Sequence, residues 1–314
     1  MSIPHLLLAL AVVIVWGTNF VIIKFGLGEF PPLLLASLRF FFSCIPWLVF
    51  VRRPQVPWRL LVGNGVFLGF GLFGVLFIAM RADISPGIAS LLVQTQAFFT
   101  IGLSLLLLGE RVRLFQLAGL ALSVAGLAMF FLHVDATTTL LGLLLTLLCG
   151  FSWAIANMLV KSASVHVQRD QRVASSNPSS ALRPKLDMLA FMVWSSLFAV
   201  PPLLAASLVL DGFPRIVSAL AHADAAGWMS ALWQGIANTL FGYGAWNWLL
   251  ARYPAATVSP LSLLVPVFGM ATAAIVYAEP LPAWKLEGGA LVLLGLLTIT
   301  LWPRFRARFA TTVA

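Results

Sequence analysis

The chain has 314 residues, of which 61% are hydrophobic and 9% charged, against roughly 45–50% apolar and about 25% charged residues in an average soluble domain. The apolar material runs from Leu6 to Trp302 with no compact polar half, which argues against a soluble globular fold and against a folded domain outside the membrane. The formal charge of +9, from 19 Lys and Arg against 10 Asp and Glu, sits in short clusters such as Arg52-Arg53 between apolar runs. With no basic helical face and no stacking platform, nucleic acid is not an expected partner.

A helix crossing the roughly 30 Å hydrocarbon core needs about 20 mostly apolar residues. In chain order, runs of that kind bounded by Pro, Gly or charge fall at 5–25, 31–51, 58–80, 85–108, 113–131, 139–161, 186–208, 228–251, 257–277 and 283–302. The expected fold class is therefore all-α integral membrane, with ten transmembrane helices. The first run carries Trp16, Asn19 and Lys24 rather than a small-residue cleavage site and has no basic region before it, so it is expected to stay in the protein. The stretch Ser162 to Lys185, with Gln168-Arg169-Asp170-Gln171-Arg172 and Ser175-Ser176-Asn177-Pro178, reads as a solvated polar loop; a second connection covers Asp211 to Gly227. Cytoplasmic loops carry the excess of Lys and Arg. With both termini cytoplasmic, only Lys24, Arg81, Arg215 and Lys285 fall on the outer side and only Arg39 lies within a span. Cys44 and Cys149 lie inside apolar stretches and the four histidines are scattered, so no disulfide framework, metal set or cofactor site is readable.

Spans 4 and 5 align with spans 9 and 10 at an offset of 169 residues: Ser90 with Ser259, Phe99 with Phe268, Glu110 with Glu279, Gly119 with Gly288 and Gly126 with Gly295. Spans 1 and 6 align at an offset of 137, with Trp16 and Lys24 against Trp153 and Lys161. Five spans per copy is an odd number, so the second copy enters the membrane inverted. The expected organisation is a first repeat over 1–135 (spans 1–5) and a second, inverted repeat over 136–314 (spans 6–10) with the polar cytoplasmic loop at 162–185. Inverted repeats mark secondary transporters, whose two copies rock about a site near the midplane.

Several segments are similar to one family. They are Val15-Trp16-Gly17-Thr18-Asn19-Phe20, Pro31-Pro32-Leu33 through Leu38-Arg39-Phe40, Gln94-Thr95-Gln96-Ala97-Phe98-Phe99-Thr100, Gly109-Glu110-Arg111, Gly242-Tyr243-Gly244 and Ser259-Pro260-Leu261-Ser262 through Pro266. Together they resemble the EamA family of the drug/metabolite transporter superfamily, most of all its O-acetylserine/cysteine exporter branch. The resemblance implies a bacterial inner-membrane, multi-pass exporter whose cavity is lined by helices 1, 3 and 4 and their mates 6, 8 and 9, with helix 2 outside it.

Polar side chains inside a bilayer are costly and face the bundle interior or a water-filled path. Trp16 and Asn19 share a face of span 1, and Trp153, Asn157 and Lys161 recur every four residues on span 6. The asparagines are candidate substrate contacts with the tryptophans as walls; interhelical hydrogen bonding and packing are the alternative. In span 4, Ser90 and Gln94 face together, whereas Gln96 is rotated by about 200° from Gln94, so one glutamine is expected in the cavity, and Gln94 is favoured. Span 9 contributes Ser259 and Ser262. Tyr243, between two glycines, has room to reach inward or to pack at an interface. Arg39, about 12 Å into its span at ~1.5 Å per residue, has no carboxylate mate at its depth; it is a candidate functional charge, with a structural role weighted above a substrate contact.

No nucleophile and base constellation is present, so a membrane enzyme is disfavoured. The scarcity of mid-span Asp, Glu and His disfavours proton coupling and favours uniport or exchange. The expected function is export of cysteine- or O-acetylserine-like metabolites by alternating access, with other amino acids or drug-like amphiphiles as the alternative cargo. The expected partners are a small-molecule metabolite, the lipid bilayer and, as an option, a second copy in a homodimer; no cofactor and no metal are called for.

Overall fold

The computed structural model describes residues 1–108, 114–133, 138–175, 186–253 and 258–312. Among the described residues the chain is helical, with no strand and an isolated bridge between Ile84 and Thr138. Helix α1 is Ile3–Glu29 and carries Pro4 in its first turn, where the missing N–H would be unbonded anyway. Helix α2 is Pro32–Cys44. It is shorter than the expected 31–51, because Pro46 offers no N–H to continue the ladder and the chain goes on in turns to Phe50. Helix α3 covers 58–82 and contains π-helical turns at Gly65–Gly74. Helix α4 covers 86–108, with a 3-10 turn at Val93–Thr95.

Helices α5 (Leu114–Leu132), α6 (Leu140–Ser175) and α7 (Met188–Leu210) follow. The expected polar loop is thus corrected: residues 162–175 continue α6, and only 176–185 lie outside the described residues. The physical reason is a persistent apolar stripe. Val160, Ala163 and Val167 keep helical spacing past Lys161 and pack with Val56, Leu61 and Phe191 of the neighbouring segments. The connection 211–227 holds a short helix, Phe213–His222. Helix α8 covers 225–252, capped by the Asp224 carboxylate on Gly227 N–H at 2.8 Å, and has π-helical turns at Trp233–Phe241. Helix α9 covers 259–277, opening with 3-10 turns at Ser259–Leu264, and α10 is Ala283–Thr312.

Six helices among the described residues are long and apolar enough to cross a membrane: Ile3–Glu29, Trp58–Arg81, Pro86–Leu103, Leu114–Leu132, Leu140–Val167 and Met188–Leu210. Side-chain contacts define the two ends of the bundle. At one end the start of α1 meets the end of α8, where His5 Nδ1 and the Tyr253 hydroxyl are 2.6 Å apart, and Trp194 of α7 donates to Val51 O at 3.0 Å. At the other end Lys24 of α1 donates to Met80 O and Arg81 O, closing the last carbonyls of α3. Thr139 there donates to Asp83 at 2.9 Å.

Helix α1 packs against α9, α4 against α6, α2 against α7, and α5 against α10; the π turns of α3 lean on α6 and α7, those of α8 on α1 and α2. In α5 and α10 small residues let the backbones touch: a Cβ at Gly126 would lie 2.6 Å from Gly288 O. Few residues of α5 are buried within the bundle.

Candidate functional site

A cavity of about 460 Å³ opens between α1, α3, α4, α6, α7, α8 and α9. It runs from the level of Ile23 and Leu76 to Asn64, Val160, Met188 and Met192, near the end of the bundle that carries the N-terminus. Such a volume suits a small metabolite. Trp16, Asn19, Gln94, Trp153, Asn157, Tyr243 and Ser262, all expected from the sequence, line this one space. The Ser259 side chain lies outside the described residues. Ser90, used in the sequence to favour Gln94, is not in the wall; its hydroxyl donates to Gly87 O at 2.6 Å and faces Gly269.

The expectation that only one glutamine reaches the cavity is corrected: Gln94 and Gln96 both line it. The cause is the 3-10 turn at Val93–Thr95. Two residues apart are about 160° apart in an α-helix but only about 120° apart at three residues per turn, and a wide cavity admits both. Gln96 Oε1 accepts from Asn157 Nδ2 at 2.7 Å, and the same Nδ2 is 3.3 Å from Thr100 Oγ1. Asn157 therefore joins α6 to α4 and faces the cavity at once. Gln94 Nε2 makes a long contact to Ser262 O at 3.4 Å.

One wall is aromatic. The Trp16 ring lies 5.4 Å from that of Tyr243 and 5.2 Å from that of Trp246, and its Nε1 donates to Asn238 O at 3.1 Å. Trp16 needs Gly242 for this, since a Cβ there would sit 2.3 Å from Trp16 Nε1.

Arg39 stands behind the wall rather than in it. Its side chain is fully buried, with Nη2 donating to Asn238 Oδ1 at 2.9 Å and the guanidinium 3.6 Å from the centre of the Phe73 ring. Phe73 and Asn238 both line the cavity. Nε and Nη1 have no hydrogen-bond partner, and Arg39 has no ion pair among the described residues.

Asn64 and Asn238 also line the cavity and are not among the expected residues. Asn64 Nδ2 donates to Ser195 Oγ of α7 at 3.0 Å, so each π segment carries an asparagine at or beside it that bonds a neighbouring helix. The signal for both was present, an amide side chain inside an apolar span. Met188 and Met192 of α7 add to the six helices that the family resemblance places around the cavity.

The family model described as the EamA-like transporter family matches residues 3–132 and 178–301. The chain belongs to the EamA-like transporter family. This EamA-like chain is 40% identical over 294 residues to a Salmonella typhimurium protein named "Probable amino-acid metabolite efflux pump", covering 92% of each. It is 40% identical over 303 residues to a protein of the same name from Escherichia coli strain K12, covering 95% of each. A solved crystal structure shares the fold with a TM-score of 0.56 at 18% identity, covering 97% of this chain and 99% of the other. Family membership makes the chain a membrane transporter and not an enzyme.

Proposed function

We propose that this EamA-like transporter exports small amino-acid-like metabolites, of the cysteine or O-acetylserine kind, across the bacterial inner membrane by alternating access. The observation that carries this is the cavity lining. Neutral amides (Asn19, Asn64, Gln94, Gln96, Asn157, Asn238), hydroxyls and indoles surround a volume of about 460 Å³, with no Asp, Glu or His among the described lining residues. Such groups can meet both ends of a zwitterion without a fixed countercharge in the wall. The efflux-pump names of the two relatives at 40% identity support the same cargo and direction.

Alternating access is supported by the asymmetry of the cavity, which extends toward the N-terminal end while Lys24 on the last carbonyls of α3 and the cluster of Ser85, Glu279 and Lys285 hold the other end together. A ten-helix frame of two inverted repeats is supported by the recurrence of irregular turns: π turns at Gly65–Gly74 and Trp233–Phe241, and 3-10 turns at Val93–Thr95 and Ser259–Leu264. Exchanging α1–α5 with α6–α10 also maps the pair α1 and α9 onto α6 and α4, while α2 and α7, like α5 and α10, exchange with each other. Both termini are assigned to the cytoplasm by the distribution of Lys and Arg, so the cavity faces the cell interior in this conformation. The indole walls Trp16, Trp153 and Trp246 favour a second cargo class, bulkier amino acids or drug-like amphiphiles.

The test is accumulation of labelled cysteine, O-acetylserine and a panel of amino acids by inside-out vesicles carrying the protein. Accumulation above empty vesicles is expected for at least one small amino acid. Uptake limited to amphiphilic drugs would favour the second class, and none for any compound would end the export function.

A further inference from the structure

We propose that Asn238 and Tyr243, backed by the buried guanidinium of Arg39, form the subsite that takes the carboxylate of the transported metabolite. The subsite rests on the export function proposed above and adds which end of the cargo binds where.

The starting point is the amide of Asn238. Arginine has donors and no acceptor, so the 2.9 Å bond from Arg39 Nη2 orients the amide with Oδ1 toward Arg39. Nδ2 must then point away from the guanidinium. Asn238 lines the cavity, and among the described residues nothing pairs with Nδ2. The donor left for the cavity is attached to an amide whose oxygen already serves a cation, and polarisation along such a chain strengthens the next bond. Arg39 thus presents its charge through Asn238 without entering the cavity, from which its own side chain is sealed.

Tyr243 supplies a second donor. Its side chain lines the same cavity, and its hydroxyl has no partner among the described residues. Residues five apart point to nearly opposite sides of an α-helix, about 140° apart at 3.6 residues per turn. The π turns at Trp233–Phe241, which end just before Tyr243, widen the turn to i→i+5 and narrow that angle, and both side chains line the one cavity. Trp16 does not compete for the anion, because its Nε1 is engaged with Asn238 O.

The charge balance points the same way. Arg39 is fully buried, has no carboxylate partner among the described residues and is met by the faces of Phe73 and Phe40 at 3.6 and 5.7 Å, which leave its charge in place. An unneutralised buried cation beside a cavity makes that side of the cavity favour an anion, and low-dielectric surroundings transmit the preference. The corresponding asparagine of the other π-bearing helix, Asn64, is bonded instead to a neutral hydroxyl, Ser195. The cavity is therefore polar on both sides and backed by a buried charge on one, which suits a cargo with one carboxylate and an ammonium that neutral amides and indole faces can hold.

The experiment measures KM and maximal rate in inside-out vesicles for amino acids paired with their decarboxylated amines, cysteine with cysteamine and phenylalanine with phenethylamine. The wild type is expected to show a KM for the transported acid at least roughly tenfold below that for its amine, in line with a charge-assisted hydrogen bond. Asn238→Leu is expected to shrink that ratio by about tenfold, and Tyr243→Phe by a smaller factor. Asn238→Asp, which puts a carboxylate against Arg39, is expected to reverse the preference toward the amine. Arg39→Gln should lose discrimination through KM, and Arg39→Lys should restore part of it, which a purely structural arginine would not do. If Arg39→Gln does not fold, the Asn238 and Tyr243 variants and the wild-type ratio decide. Equal transport of acid and amine by the wild type, or a ratio unmoved by Asn238→Leu, overturns the subsite while leaving export standing. Transport of no amino acid at all overturns both.

Discussion

The Glu279 carboxylate, beyond the end of α9, accepts the hydroxyl of Ser85, at the start of α4, across 2.5 Å. Its second oxygen takes Gly87 N–H at 3.2 Å, so a residue 192 positions away caps α4, whose own N-cap serine makes no side-chain cap. Lys285, almost fully buried, lies 3.4 Å from the same carboxylate. Glu279→Gln keeps the shape and removes the charge, stranding a buried ammonium. The expected cost is about 3–5 kcal/mol, seen as a fall in thermal midpoint of the detergent-purified protein. Glu279→Gln with Lys285→Met is expected to regain most of it. A single variant that melts with the wild type would mean that the pair holds nothing together.

Gly242 and Trp16 form a steric unit. Gly242→Ala pushes a methyl onto Trp16 Nε1, and an overpacked site of this kind costs roughly 1–3 kcal/mol. The tryptophan is expected to leave Asn238 O and turn into the cavity. Transport should fall several-fold while Trp16→Phe, which loses the bond but keeps the ring, falls less. Equal uptake by Gly242→Ala and wild type, at equal amounts of inserted protein, would remove the wall role of Trp16.

Asn157 binds Gln96 across α6 and α4 and also borders the cavity. A double-mutant cycle of Asn157→Ala and Gln96→Ala is expected to give a coupling of about 0.6 kcal/mol in stability, and no more than roughly 1.7. Uptake by Asn157→Ala should drop by more than the folded amount does. A variant that is simply absent from the membrane would assign Asn157 to packing alone.

Coupling is testable without a variant. Because the described cavity lining holds no Asp, Glu or His, accumulation of the transported amino acid is expected to change less than twofold when an imposed pH gradient is collapsed with an ionophore, by the absence of a proton-carrying group. Counterflow against preloaded unlabelled amino acid should persist. Strong dependence on the gradient would require a titrating group elsewhere on the path.

Much of the cavity was legible in the chain because the membrane makes polar residues conspicuous. Trp16, Asn19, Asn157 and Tyr243 stood out as polar or amphipathic groups inside apolar runs, and they meet in one space. One misjudgement comes from a local departure from α-helical geometry. Gln96 looked excluded at a fixed turn of 100° per residue, and a 3-10 turn admits it. Asn238, which was not among the expected residues, lies in the π turns of α8 and lines the same cavity as Tyr243. Residues 162–175 looked like loop on composition, yet an apolar stripe docked on α3 and α7 keeps them helical.

Composition and hydropathy by themselves determined the class, since 61% hydrophobic and 9% charged residues leave water-soluble folds no way to cover their surface, and the scatter of Lys and Arg set the expected orientation. Only the tertiary structure decided what Arg39 is. Along the chain it is a lone cation at a depth where no carboxylate can be matched to it. In the fold it lies one amide behind the cavity wall, because α2 packs against the widened turns of α8 and brings the guanidinium to a residue 199 positions away. Such a meeting depends on the angle at which two helices cross and on the pitch of one of them, and neither is written in the order of the residues.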